Sequence, residues 1–285
     1  MGVLLSLATA LLYGSGDFLG GLTSKRNSQI QVLTAISVVG VAPLWVIAPL
    51  VADTVTLNDL YLGATAGLAG MAGLGLLYRG LSRGPMSVFA PLTAIVSAVF
   101  PVMWGLARGD QQIFRTWLGI LLGLLGIFVL ALPEHKDSSR LSSAVIYEAI
   151  LAGIGFGLFF ALLSETNTES APWPIVAGRT SAAVLLLIVA VINKSAILPT
   201  GSWATLFGCA ACDTAANVAF LFALRYEQLG SVAVLASLYP AATVLLARVV
   251  LHEHLTKRRM VGLGLALGAV VLVGWTWEIS YPRCH

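Results

Sequence analysis

The sequence predicts an all-α integral membrane protein of about ten transmembrane helices, arranged as two inverted five-helix repeats. Three observations carry that expectation: a composition 58% hydrophobic and only 10% charged, a succession of apolar runs long enough to cross a bilayer, and identities that recur in order between the two halves. Soluble domains carry about 25% charged residues, so this chain belongs in lipid, with a mean hydropathy of +0.90. Its net charge of +3 does not point to nucleic acid, because the basic residues lie in short connections between apolar runs, as topology signals do. Two of the three cysteines share one apolar segment, which implies no disulfide framework.

A hydrocarbon core of ~30 Å takes about 20 residues of helix. Runs of that order fall at Val3 to Leu22, Val32 to Ala52, Leu60 to Leu81, Val88 to Ala107, Phe114 to Leu132, Ala144 to Leu163, Ile175 to Ile192, Trp203 to Leu224, Val232 to Leu251 and Met260 to Trp277. The opening run lacks a basic n-region and a cleavage site, so it reads as a retained first span. The most polar connection, Pro133 to Ser143, divides residues 1–133 from 144–285, five spans to each side.

An offset of 146 sets Arg79 on Arg225, Gly84 on Gly230, Val88 on Val234, Ala90 on Ala236 and Leu92 on Leu238; an offset of 143 sets Tyr13-Gly14 on Phe156-Gly157, Arg115 on Arg258 and Gly119 on Gly262. Element order is kept throughout, the mark of a duplication. Five spans is an odd number, so the second copy enters the membrane inverted, and such repeats place a site between halves that rock to expose it alternately. Most Lys and Arg follow odd-numbered spans, among them Lys25, Arg26, Lys136 and Lys257, so the charge count puts those loops in the cytosol and both termini outside.

YGSGDFLGGLTSKR at the start, GPMSVFAPLTAI, FGLFFALL, PWPIVAGRTSAAVLLL and LGSVAVLASLYPAATVLLARVVLHEHLT resemble the EamA-type members of the drug/metabolite transporter superfamily over nearly the whole chain. The resemblance implies a ten-helix transporter of small metabolites or drugs, usually an exporter, with a central cavity built by spans one to four and six to nine. It also implies termini in the cytosol, opposite to the charge count. The family's Glu-x-Leu-Thr is supplied after span nine by Glu253, Leu255 and Thr256, whereas Ala107 to Gln112 reads ARGDQQ, so a structural cap is expected to be missing there.

Span eight carries the main anomaly. Cys209, Asp213 and Asn217 fall at i, i+4 and i+8 and share one helix face. Asp213 lies ~15 Å along its helix, close to the midplane, where a charge costs about 2.5–3.5 kcal/mol by insertion scales. It reads as a coupling or substrate-binding acid, or as structural glue. Arg179, about two turns into span seven, is either a fixed charge for anionic substrate groups or an ion-pair partner of Asp213 or Glu148. Asp17 and Glu148 lie nearer helix ends, as cavity groups or interfacial charges. Tyr13, Trp45 and Trp173 offer aromatic walls or interface belts, and Tyr78 and Tyr239 flank the repeated turns as candidate substrate contacts. Pro91 and Pro240, in spans four and nine, are candidate hinges. Gly119, Gly123 and Gly126 in span five form a close-packing surface, within the bundle or for a homodimer.

The cysteines of Cys209-Ala-Ala-Cys212 read as small packing residues, since redox chemistry wants an accessible thiolate, and His252-Glu253-His254 is too compact for a zincin motif. No Walker A sequence and no nucleophile elbow occurs, so no cofactor and no enzyme are expected. The reading is a secondary transporter in a bacterial plasma membrane, moving a small metabolite, amino acid or drug-like solute by alternating access as proton-coupled export. An uptake permease for a sugar or nucleoside, and a non-transport scaffold or intramembrane enzyme, are the competing readings.

Overall fold

The structure, a computed structural model, describes residues 1–24, 27–52, 54–83, 86–131, 143–194, 201, 203–250 and 256–274. They form α1 (Gly2–Ser24), α2 (Gln29–Val51), α3 (Leu57–Arg83), α4 (Met86–Ala107), α5 (Phe114–Ala131), α6 (Ser143–Ser164), α7 (Trp173–Ile192), α8 (Trp203–Ala223), α9 (Leu229–Ala236), α10 (Tyr239–Val250) and α11 (Lys257–Gly274), with one 3-10 turn at Thr168–Ser170. No strand occurs among the described residues. The polar connection at 133–142, His252-Glu253-His254 and the basic residues Lys25, Arg26, Lys136 and Arg140 lie outside the described residues.

Among the described residues, seven stretches are long and apolar enough to cross a membrane, in α1, α2, α3, α6, α7, α8 and the α9–α10 pair. Two further apolar stretches among the described residues lie at Leu92–Ala107 in α4 and Phe114–Leu130 in α5, and α11 opens on Lys257, Arg258 and Arg259.

In lipid there is no hydrophobic drive between helices, so packing falls to small residues that let backbones approach. Helix α1 packs on α8, α9 and α10; α3 on α6 and α7; α4 on α6 and α9; α2 on α7 and α8; and α5 on α11. At Gly63 and Gly67 of α3, an added Cβ would collide with the backbone of Pro174 and Gly178 in α7. The glycine run of α5 is consumed inside the bundle: Gly119 abuts Val273, Gly123 abuts Val234 and Gly126 faces Ala266, the first and last of these on α11.

Two faces of the bundle can be told apart by what meets there. At one, Gly2 of α1 abuts Glu227 ahead of α9, the Asn167 N–H donates to Asp59 Oδ1 of α3 at 2.8 Å, and Trp104 near the end of α4 donates to Glu165 beyond α6 at 2.7 Å. At the other, Thr23 donates to Thr205 at 2.9 Å, Arg79 faces Glu148 at 3.5 Å, and Gly262 of α11 packs on Leu130 of α5. We call these the Glu165 face and the Glu148 face.

Two helix ends explain themselves. The ARGDQQ segment does not lack a cap: Asp110 N–H donates to Gly105 C=O at 2.9 Å around Gly109 at φ +97°, the glycine C-cap pattern in which the left-handed residue carries no Cβ penalty. Helix α9 stops at Ala236, four residues before Pro240, whose ring clashes with the carbonyl at i−4 and offers it no N–H. Span nine is thus two short helices.

Candidate functional site

The polar stripe of α8 turns toward α1. The Cys209 thiol donates to the Gly16 carbonyl at 3.1 Å, Tyr13 O–H donates to Asn217 Oδ1 at 2.9 Å, and Asn217 Nδ2 donates back to the Asp213 carbonyl at 2.6 Å. The backbones pass closely here: a Cβ at Gly16 would stand 3.5 Å from the Asp213 backbone nitrogen, in ordinary contact. On its other side Asp213 forms an ion pair with Arg179 of α7 through Oδ2 and Nη2. The arginine side chain is 12% exposed and the aspartate 33%, so the cation is the more desolvated partner and depends more on the pair. Breaking a buried pair by removing one member costs about 3–5 kcal/mol, because a charge is left uncompensated.

Aromatic rings enclose the pair. Tyr13 meets Phe160 edge-on at 6.3 Å and Tyr239 at 6.5 Å, and Phe160 lies 4.5 Å from Phe220. Asp17, one turn beyond Tyr13, is exposed to solvent, and its charge bears on Tyr13 and Tyr239. No ion pair holds Asp17 among the described residues. Toward the Glu165 face lies a layer of buried Leu163, Phe220, Leu221, Val232 and Ala233.

The structure therefore brings Asp213, Asn217, Arg179, Asp17 and Tyr239 together. It does not bring Glu148, which pairs with Arg79 near the start of α6. The side chain of Tyr78 lies outside the described residues, as does that of Pro91 within α4. Pro240 sits one residue into α10, directly after the break. Trp45 of α2 and Trp173 of α7 meet edge-on at 5.8 Å, and the Trp45 indole N–H donates to Thr180 Oγ1, next to Arg179, at 3.2 Å. Tyr13 was legible only as a wall; its i, i+4 spacing to Asp17 places both on one face of α1 and was the signal for its role. The Arg108–Glu165 pair at 2.8 Å, with Trp104 donating to the same carboxylate, had no signal, since it joins a loop to a helix end across 57 residues of sequence.

Residues 137–275 match the model of the EamA-like transporter family. An uncharacterized transporter of Archaeoglobus fulgidus is 25% identical over 190 residues, 65% of this chain and 66% of its own length, so the chain spans just under two thirds of that relative. A crystal structure of a protein superposes over 98% of this chain and 99% of its own with a TM-score of 0.76 at 15% identity, a likeness of fold.

Proposed function

This chain belongs to the EamA-like transporter family, and from that premise we propose that it is a secondary transporter, exporting a small metabolite, amino acid or drug-like solute across a bacterial plasma membrane by alternating access in exchange for protons. The observation that carries the reading is the Arg179–Asp213 pair held at mid-helix between α7 and α8, a depth at which ionisable groups mark substrate and ion pathways.

The helix contacts support two inverted copies at 1–133 and 144–285. Exchanging α1 with α6, α2 with α7, α3 with α8, α4 with α9–α10 and α5 with α11 turns the α1–α8 contact into α6–α3, α4–α6 into α9–α1 and α3–α7 into α8–α2; α2–α7, α4–α9 and α5–α11 map onto themselves. Ten crossings follow once α9 and α10 count as one. The buried apolar layer of Leu163, Phe220 and Val232 and the solvent-reached Asp17 fit one end-state of such a cycle.

Charge balance assigns the roles. Arg179 neutralises Asp213, so a proton arriving at Asp213 releases the guanidinium for an anionic group of the substrate. Asp17 lacks a countercharge and takes a proton or the substrate's ammonium. Tyr13 and Asn217 hold Asp213 in place, and Tyr239 and Phe160 supply an apolar wall. Vesicles reconstituted with the protein, loaded with a pH-sensitive dye and given an imposed pH gradient, test this with a panel of amino acids and hydrophobic amines. Substrate-dependent proton flux is expected in the parent protein and absent in Asp213→Asn; full flux in that variant, still folded, overturns the role of Asp213.

A further inference from the structure

A space lies at the Glu165 face, beyond the buried apolar layer. It is a cavity of about 390 Å³ among the ends of α4, α6 and α8 and the start of α9, within the range of small-ligand sites. One wall is fixed: Trp104 stacks on Phe100 at 6.1 Å, carries the Arg108 guanidinium 5.5 Å over its ring and donates to Glu165. Leu221, Leu224 and Leu229 form an apolar floor. The remaining charges are of one sign, from Asp110 and Glu227.

The cations nearby are spoken for. Arg108 is held by Glu165 at 2.8 Å, and Arg225 donates through Nε to the Thr168 carbonyl at 3.0 Å with its guanidinium 4.4 Å over Phe222. Asp110 Oδ2 is buried without a hydrogen-bond partner. Glu227 feels the α-amino group of Met1 and has no ion pair among the described residues. Burial pushes both carboxyls above the usual carboxylate range, eased at Asp110 by the Gly230 N–H.

We propose that this cavity is an accessory binding site for a small amphipathic organic cation, whose positive group is held by Asp110 and Glu227 and whose apolar part rests on Leu221, Leu224 and Leu229. An anion is repelled by the same two carboxylates, and a neutral solute supplies no countercharge to them. The site stands whether or not the central pair couples to protons, because none of its charged residues belongs to the Arg179–Asp213 cluster; only Leu163 and Leu221, in the apolar layer between them, border both.

Benzyltrimethylammonium is a suitable probe, being permanently charged and small. Titrated calorimetrically into the full chain in detergent, it is expected to bind saturably at one site. Asp110→Asn and Glu227→Gln should each weaken binding about tenfold, Leu224→Trp, which fills the cavity and leaves every charge, should abolish it, and Asp213→Asn should leave it unchanged. Melting curves of each variant without probe identify any that fail to fold, and Leu224→Trp carries the test independently of the charge changes. No saturable binding overturns the proposal. So does binding that survives Asp110→Asn, Glu227→Gln and Leu224→Trp but is lost in Asp213→Asn, which places the cation in the central site.

Discussion

The proposed pair of inverted copies sets α3 against α8, and the offset of 146 aligns Gly67 of one with Asp213 of the other. Both meet α7 there. Gly67 lies so close to Gly178 that no Cβ fits; Asp213 meets Arg179, the next residue, through an ion pair. One half thus uses the position for close backbone packing and the other for charge. On the proposed function the scaffold contact sits on one helix and the chemistry on the other, so a lesion on α3 should damage the fold and one on α8 should damage function.

The largest effect should come from Gly67→Leu. The added side chain must displace α7 backbone, and overpacking of that kind costs about 3 kcal/mol, enough to abolish a cooperative melt in detergent. A normal melt would show that α3 is not the packing helix. Next are the charge variants. Arg179→Gln and Asp213→Asn should each lower stability, and the double variant should recover part of the loss with a coupling of about 1–3 kcal/mol while substrate flux stays absent. Additive losses would mean that the two side chains do not act as a pair.

Tyr13→Phe is expected to cost about 1 kcal/mol, the value of a hydrogen bond whose partner, Asn217, is left buried, with flux reduced but not lost. Smallest is Arg79→Gln: its pair with Glu148 has a half-exposed arginine, and such pairs are worth about 0–1 kcal/mol, so melting should shift little. A large shift there would remove the distinction between the charges inside the bundle and those at its ends.

Much of the fold was legible because lipid imposes a simple rule. The expected span from Phe114 to Leu132 is helical throughout its described residues, Phe114–Ala131, and that from Trp203 to Leu224 is observed as Trp203–Ala223. The polar stripe of α8 was equally readable, since Cys209, Asp213 and Asn217 share a face by spacing alone. Which helix that face meets was not: Arg179 could have reached Asp213 or Glu148, and only the rotation of α7 against α8 decides. Proline gave mixed signals for the same reason. Pro43 and Pro49 lie inside an unbroken α2, whereas Pro240 ends α9 at Ala236, because local sequence does not say whether neighbours will re-satisfy the freed carbonyls. The C-cap at Gly109 escaped notice because a different residue pattern solves the same backbone problem.

The apolar layer of Leu163, Phe220 and Val232 has an electrical consequence. Where water reaches Asp17 from one side, the conducting medium extends into the bundle, and the membrane voltage falls mainly across the dry layer beyond it. A unit charge crossing 100 mV exchanges about 2.3 kcal/mol, so in the proposed cycle a cation arriving at Asp17 has traversed little of the field and one leaving past Phe220 must traverse nearly all of it. On that proposal the thickness of a few side chains sets how strongly voltage drives transport.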